Sequence, residues 1–220
     1  RILFYSSVNS LELFKTQKFY QIDISILKDL GYDVLLSNRI FDSLLFWKYD
    51  ILFSYFYRYS FFAALLAKCF GKKTYFTGGI DSLDSVYASA FNYKIQALFF
   101  KLCYWVADSC IIVSQSDLKN IFKVSSLKKK LSYSEHVINT KLFIADVPKE
   151  KIFTSIVWMG DEGNVVRKGV DKALQIFAEL KKIPEFVDYR FVIIGRKGEG
   201  EVLVRSIIDK YNLKGSVELK

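Results

Sequence analysis

The segment Arg167–Lys182 begins with two adjacent cations and a glycine, and it continues with helical periodicity. The first amides of a helix lack intrahelical partners and carry a partial positive charge, so a helix start favours an anion. Arg167 and Lys168 would make such a start suited to a diphosphate. A second basic, glycine-rich turn, Gly195–Glu201, follows the next apolar run. Together the two segments predict a diphosphate site, and the alternative interpretation is a solvated helix start followed by an ordinary flexible turn.

The elements that must position this site alternate along the chain. Apolar runs typical of strands are followed by segments with helical spacing, and Gly31 and Gly71 end two of these. We predict strands at 2–5, 34–36, 51–54, 74–76, 110–113, 153–158, 191–194 and 216–219, and helices from about 15 to 30 and at 61–70, 89–106, 170–182 and 202–211. This alternation implies an α/β fold of parallel sheets covered on both faces.

The pattern loosens from about Lys123 to Glu150, where lysines, serines and Pro148 predict a linker. We therefore predict two Rossmann-like domains, at 1–144 and 145–220. The second run has three predicted strands, whereas an open sheet of this type has about five or six. We expect the second domain to be incomplete in this chain.

Ligands in such sheets bind outside the carboxyl ends of the strands. The loops at those ends hold every distinctive polar or glycine cluster of the sequence, at Ser6–Asn9, Ser54–Arg58, Thr77–Asp84, Gly160–Lys168 and Gly195–Glu201. The agreement between the loops and the clusters supports both the predicted fold and the predicted site.

Composition argues against several classes of protein. The longest run free of charged residues, 2–11, has ten residues, whereas a helix that spans a bilayer needs about 20 apolar residues. The single histidine argues against a His-based metal site. The three cysteines lack metal-type spacing, and we expect them to be buried, reduced thiols of a cytoplasmic protein.

A net charge of +9 includes one local basic cluster without acids, formed by Lys119, Lys123, Lys128, Lys129 and Lys130. Beside apolar and aromatic segments, this cluster fits an anionic membrane surface, which would place the protein on the inner face of the cell membrane. A solvated helix face explains it equally well. We expect no nucleic-acid partner, because no nucleic-acid motif accompanies the charge.

Several segments, in order, resemble the retaining glycosyltransferases of the GT-B fold, in particular glycosyltransferase family 4, the group 1 glycosyl transferases. The first helix, glycine and second strand of that family are similar to LKDLGYDVLL, and a strand ending in serine before a short helix is similar to ADSCIIVSQSDLKN. The family's linker phrase is similar to VINTKLF. The opening of its nucleotide-sugar domain is similar to IVWMG, RKGVDKALQIFAEL and YRFVIIGRKGEG.

The resemblance implies transfer of a sugar from a nucleotide diphosphate-sugar to a glycan or lipid-linked acceptor, with the anomeric configuration retained. Arg167 and Lys168 would pair with the donor diphosphate as the catalytic cations. Gly160 and Gly195 would let the backbone approach the nucleotide. Since the sequence has no Asp-x-Asp triplet, we expect neither a metal nor any cofactor besides the donor.

On the acceptor side, the resemblance places Gly78, Gly79 and Asp81 in a first-domain loop that faces the acceptor and the transferred sugar. Gly79 and Asp81 are also explained by a loop glycine and a helix-capping aspartate. The aromatic stretch Tyr55–Arg58 is interpreted as core rather than acceptor surface, and His136 as a linker residue.

The chain departs from the family pattern at several positions. Asp161 stands where many members have arginine, and Asn139 replaces the usual linker aspartate. The first loop reads SSVNS instead of a glycine pair, and the family's paired glutamates have no counterpart.

Two alternative functions remain open from the sequence. One is a non-catalytic fragment that binds a nucleotide or a membrane surface. The other is a GT-B sugar-nucleotide epimerase, although the single histidine disfavours it. A nicotinamide-dependent enzyme would need a glycine fingerprint after the first strand, and that fingerprint is absent.

Overall fold

The computed structural model describes residues 1–84, 88–126, 128–138, 140 and 148–220, apart from the side chain of Asp81. The chain divides into two compact units, Arg1–Leu142 and Phe143–Lys220. The predicted boundary between residues 144 and 145 lies outside the described residues, and so does Asn139.

The first unit is built on parallel strands separated by helices. Its strands are β1 (Ile2–Ser6), β2 (Val34–Ser37), β3 (Ile51–Tyr55), β4 (Lys73–Thr77), β5 (Ser109–Ile112) and β6 (Leu131–Tyr133). Its helices are α1 (Leu13–Thr16), α2 (Lys18–Asp29), α3 (Ser60–Cys69), α4 (Ala90–Val106) and α5 (Gln115–Val124), with 3₁₀ turns at Ile40–Leu44, Phe46–Lys48 and Asp81–Leu83.

The strands of this unit form one 6-stranded sheet in the order β2-β1-β3-β4-β5-β6. Every pairing is parallel, which confirms the predicted sheet type. The order reverses between β1 and β3, so the ends of these two strands flank the crevice where sheets of this kind bind ligands.

Both faces of the sheet are buried, which explains why its strands are continuous apolar runs rather than alternating ones. On one face, Leu3 and Leu52 join a core formed with α3 and α4. On the other face, Phe4 meets Phe14 and Phe53, each with ring centroids 5.6 Å away. An aromatic cluster under α2 is therefore one of the two cores of the first unit.

Strand β6 corrects the predicted linker. Residues Leu131–Tyr133 pair in parallel with β5, with Cys110 opposite Leu131 and Ile112 opposite Tyr133. The Lys130 carbonyl also accepts a hydrogen bond of 2.8 Å from the Cys110 amide. The residues LSY follow three lysines and precede Ser134, so no apolar run indicated a strand there.

The second unit repeats the same architecture. Its elements are β7 (Ile152–Ile156), α6 (Glu162–Arg167), α7 (Val170–Leu180), a 3₁₀ turn at Pro184–Phe186, β8 (Arg190–Ile194), α8 (Gly200–Lys210) and β9 (Val217–Leu219). The strands form a parallel sheet in the order β7-β8-β9. Its core contains Val165, Leu174, Phe177, Ile193 and Val204, so all three helices contribute to it.

Candidate functional site

In the second unit, the loops that follow β7 and β8 lie against each other at the carboxyl edge of the sheet. The Val157 amide donates to the Ile194 carbonyl, and the Met159 amide donates to the Arg196 carbonyl, both at 2.9 Å. The Gly200 amide donates to the Met159 carbonyl at 3.1 Å. These bonds fix both predicted ligand loops and the start of α8 as one connected backbone surface.

Gly195 is required by this packing. Its φ is 155°, and a Cβ added there would lie 1.8 Å from the Val157 carbonyl oxygen. A Cβ at Gly198 would lie 2.5 Å from the Met159 carbonyl oxygen. The close approach seen here is therefore between two loops of the chain itself, and an approach of Gly195 to a nucleotide stays a prediction.

Gly160 has a different neighbour. A Cβ at this position would lie 2.7 Å from atoms of the Trp158 ring, and the Trp158 side chain is itself exposed. Its closeness to a nucleotide likewise stays a prediction.

The two predicted cations do not simply open a helix. Arg167 is the last residue of α6, and Lys168 is the C-terminal cap of that helix. Gly169, in a left-handed conformation with φ 69°, is the N-terminal cap of α7. The pair thus lies at the junction of two helices, and both side chains are exposed.

The position of the cations at this junction changes the argument from the helix dipole. Cations are favourable at a helix C-terminus and unfavourable at an N-terminus, so ending α6 is by itself a stabilising position for Arg167. Helix α6 was predicted as loop, because EGNVVR is short and contains Gly163, a residue that disfavours helix interiors.

A polar chain along α6 holds Arg167. The Asp161 carboxylate caps the helix and accepts from the Asn164 amide at 2.7 Å and from the Asn164 side chain at 3.1 Å. The Asn164 oxygen in turn accepts from Arg167 Nη2 at 3.4 Å. Asp161, a departure from the family pattern, therefore positions the arginine indirectly. The spacing of Asp161 and Asn164 is the sequence signal that could have revealed the cap.

An acidic residue lies in the first turn of α7. Asp171 Oδ1 is buried and accepts no hydrogen bond within the described part of the chain. A carboxylate is favourable at this position for the helix dipole. Its negative charge is opposite in sign to those of Arg167 and Lys168, which precede it by four and three residues.

In the first unit, the ends of β3 and β4 are joined by two residues with positive φ. Gly78 has a φ of 107° and Phe56 a φ of 68°. The Phe56 amide donates to the Thr77 carbonyl at 2.8 Å, and a Cβ at Gly78 would lie 3.1 Å from the Phe56 ring. A non-glycine residue in this conformation costs about 1–3 kcal/mol and is common at functional loops.

The loop after Gly78 is held by α5. The buried Asp117 carboxylate accepts a hydrogen bond of 3.2 Å from the Ile80 amide, while its own amide donates to Ser114 Oγ at 3.0 Å. The second contact is the N-terminal cap of α5, made by Ser114. Gly79 precedes Ile80, and Asp81 begins the 3₁₀ turn Asp81–Leu83, so α5 positions the predicted acceptor-side loop.

A depression lies at the carboxyl ends of β1, β2 and β3, beside the reversal of strand order. It is lined by residues that include Ser7, Asn38, Phe41 and Tyr59. The Asn38 side chain donates to the Val8 carbonyl at 3.0 Å, which ties the loop after β1 to the one after β2. Tyr59 directly follows the aromatic stretch 55–58, of which Tyr55 and Tyr57 are buried as predicted.

A second cavity, of about 260 Å³, lies between α2 and the segment after β6. Asp23 and His136 line it, and His136 lies in the coil that follows β6. The Tyr55 hydroxyl donates to the Asp23 carboxylate. Burial raises the pKa of Asp23, while the Tyr55 hydrogen bond and the His136 charge lower it. Burial, with the bond to Asp23, also raises the pKa of Tyr55.

Two of the three cysteines are buried, as expected, and Cys69 is exposed, which corrects the expectation for that residue. Burial raises the pKa of the Cys110 thiol to about 12, and burial also raises the pKa of Cys103. Neither buried thiol is a nucleophile at neutral pH.

Searches for particular features gave two negative findings on the described residues. No group of three or more His, Cys, Asp or Glu side chains could hold a metal ion there. No helix among those residues has the length and apolar character needed to cross a membrane.

Comparisons with known proteins identify the fold. No protein-family model and no curated protein matches the chain. Several solved structures match the chain. HepE of Anabaena, in complex with UDP-glucose, aligns with a TM-score of 0.63 and 12% identity over 100% of this chain and 68% of its own.

Two further solved structures are similar. Sucrose-phosphate synthase from Thermosynechococcus elongatus has a TM-score of 0.57 and 17% identity, covering 97% of this chain and 51% of its own. A point mutant of TarM from S. aureus, in complex with fondaparinux, alpha-GlcNAc-glycerol and UDP, has a TM-score of 0.50 and 16% identity, covering 77% and 32%. The chain thus spans between a third and about two thirds of these proteins, and its two Rossmann-like units have the GT-B fold.

Proposed function

We propose that this chain is part of a nucleotide-sugar glycosyltransferase. On this proposal it supplies the acceptor-side unit, residues 1–144, and the first part of the donor unit, residues 145–220. The single observation that carries the proposal is the pair Arg167–Lys168 at the junction of α6 and α7, in a chain with the GT-B fold. That HepE was solved with UDP-glucose and TarM with UDP supports a nucleoside diphosphate-sugar as the donor.

Transfer of a sugar from a nucleotide diphosphate-sugar requires positive charge beside the departing diphosphate. Cleavage of the bond between the sugar and the phosphate leaves negative charge on the departing diphosphate, and preorganised cations stabilise that charge as it develops. Arg167, oriented through Asn164, and Lys168 would supply it. A charge-assisted hydrogen bond contributes roughly 1.5–3 kcal/mol, so two cations offer several kcal/mol without a metal.

The finer parts of the proposal follow from the same arrangement and from the resemblance to family 4. The reaction would retain the anomeric configuration and need neither metal nor further cofactor. The Gly78–Asp81 loop and the depression beside the β1 and β3 ends would face a glycan or lipid-linked acceptor. The enzyme would act in the cytoplasm, at the inner face of the cell membrane.

Ligand-induced stabilisation tests the donor class, since a ligand that binds only the folded state raises the melting temperature with concentration. We expect a shift with at least one of the UDP-, GDP- or TDP-sugars and none with NAD(H). Lys168→Ala and Arg167→Ala should each weaken that shift. Lys172→Ala, which removes an exposed lysine from α7, should preserve it.

Turnover gives the second readout, in an enzyme that contains this chain. Removal of one transition-state donor typically lowers kcat by about 10²–10³, and we expect this loss in Lys168→Ala and Arg167→Ala. Near-normal turnover in both variants, or a thermal shift with NAD(H) alone, would exclude the proposed site.

A further inference from the structure

Helix α4 carries large apolar residues and lysines in regular alternation on its outer side. Phe91, Lys94, Leu98, Lys101 and Trp105 follow one another at intervals of 3 and 4 residues. Residues at this spacing share one face of a helix. We call this set the α4 stripe, and at 1.5 Å per residue it is roughly 20 Å long.

The stripe is exposed over its whole length. Phe91, Leu98 and Trp105 are 73%, 56% and 68% exposed, and both lysines are exposed as well. The helix meets the core through its opposite side, where Phe100 and Cys103 are fully buried. A single exposed leucine is ordinary, whereas large exposed apolar side chains that recur along one helix face point to an interaction surface.

The charge of this face is of one sign. Helix α4 contains no aspartate or glutamate. At its C-terminal end, Lys130 Nζ donates to the carbonyls of Trp105 at 3.1 Å and Ala107 at 2.6 Å. Asp108, the first acid after the helix, forms an ion pair of 2.8 Å with Lys68. The surface around the stripe therefore favours an anionic partner.

We propose that the α4 stripe binds a membrane surface that contains anionic lipids. Lysines beside Trp, Phe and Leu match the two layers of a membrane interface, since lipid headgroups attract the ammonium groups and the rings enter the boundary with the acyl chains. Lysine stems can lie along the apolar side chains while their charged ends reach the headgroups. The inference rests on the membrane location in the proposed function and names its surface, but its test uses no nucleotide-sugar and so fails separately from the donor site.

Members of the basic cluster in the sequence contact other groups of the chain. Lys130 uses its ammonium group to close α4, and Lys128 lies 4.9 Å from the centroid of the Phe122 ring. The cations that face the membrane on this proposal are instead Lys94 and Lys101, which lie between the apolar members of the stripe.

Vesicle binding by the intact chain tests the proposal. We expect the protein to bind vesicles of phosphatidylcholine mixed with phosphatidylglycerol, to bind pure phosphatidylcholine much more weakly, and to lose binding as salt rises. The double variant K94E/K101E and the triple variant F91S/L98S/W105S should each lower the partition coefficient by at least about tenfold.

Two matched controls change equally exposed residues elsewhere. I176S/V202S removes exposed apolar side chains from the second unit, and K28E/K172E reverses exposed lysines on α2 and α7. I176S/V202S should bind as the unchanged protein does, and K28E/K172E should retain far more binding than K94E/K101E. Circular dichroism of each variant verifies that the fold is intact.

Fluorescence provides a readout that leaves the stripe unchanged. The chain has three tryptophans, so W47F/W158F leaves Trp105 as the single reporter. Its emission should shift to shorter wavelength on mixed vesicles and be quenched by brominated lipids. Absence of vesicle binding, equal binding by the stripe variants, or an unquenched Trp105 would overturn the proposal. So would a change of self-association in place of vesicle binding, which would indicate a second copy of the chain as the partner.

Discussion

At the scale of single residues, Gly195 shows how sequence and structure assign different reasons to the same glycine. The sequence suggested room for a nucleotide, which stays a prediction, and the structure shows backbone packed on backbone. We expect Gly195→Ala to destabilise the second unit by about 3 kcal/mol or more, because a Cβ meets the Val157 carbonyl and φ is unfavourable for alanine.

Gly215→Ala is the matched control for this substitution. Gly215 has a φ of 84°, and no atom lies within 4 Å of an added Cβ, so only conformational strain of about 1–2 kcal/mol applies. Urea unfolding of both variants measures the difference. If both variants lose the same free energy of unfolding, the loop after β7 moves aside at little cost, contrary to the packing argument.

The raised pKa of Asp23 predicts how its contribution to the free energy of unfolding changes with pH. Burial raises the pKa of this carboxyl in the folded protein above its ordinary value of 3.8. The folded state then holds a proton that the unfolded state releases, so the contribution of Asp23 to stability declines as pH rises through the raised pKa. The free energy of unfolding of Asp23→Asn relative to the unchanged protein should therefore increase with pH across that window.

A substitution of Tyr55, the hydrogen-bond donor to Asp23, tests the same carboxyl group. The Tyr55 hydroxyl lowers the pKa of Asp23 by donating to it, so Tyr55→Phe should steepen the decline. Urea midpoints measured over a series of pH values follow both variants. A flat difference for Asp23→Asn would mean that the cavity leaves this carboxyl hydrated.

At the scale of elements, the contact of α5 with the loop after β4 is a test of positioning. Asp117→Ala leaves the buried Ile80 amide without the acceptor it uses, and an unsatisfied buried donor costs about 1–3 kcal/mol. We expect that loss in urea unfolding, together with faster hydrogen exchange at Ile80. Asp117→Asn keeps a carbonyl oxygen and should restore most of the protection.

Ser114→Ala separates loop positioning from helix capping. Ser114 Oγ accepts from the Asp117 amide at the start of α5, and loss of such a cap costs typically about 1 kcal/mol. Exchange at Ile80 should change little in this variant. If Ser114→Ala and Asp117→Ala accelerate that exchange equally, the loop depends on α5 as a whole rather than on the carboxylate.

The elements that the sequence predicted well are those with long, uniform patterns. Continuous apolar runs indicated β1, β3, β5 and β8, because both faces of such a sheet are buried. Helical spacing indicated α2, α4 and α7, because one face of each helix packs on a sheet. Strand β6 and helix α6 are three and six residues long and lack any period. The contact of Asp23 with Tyr55 and the wall formed by His136 depend on tertiary packing, so no local pattern could indicate them.

At the scale of the whole molecule, the two units have separate cores, and this has a consequence for unfolding. The core of the second unit includes Leu174, and that of the first unit includes Ile112, each with 0% exposure. Removal of a large buried aliphatic side chain typically costs about 2–5 kcal/mol. We expect Leu174→Ala to lower the unfolding midpoint of the second unit and Ile112→Ala that of the first, each without moving the other transition.

Single tryptophans report each unit separately, since Trp158 lies in the second unit and Trp47 and Trp105 lie in the first. Urea curves followed by Trp158 alone should move with Leu174→Ala and stay fixed with Ile112→Ala, and Trp105 alone should show the reverse. If either substitution moved both curves together, the chain would unfold as one cooperative body. A diphosphate bound at the α6–α7 junction would then stabilise the whole chain, whereas with independent units it raises the Trp158 transition alone.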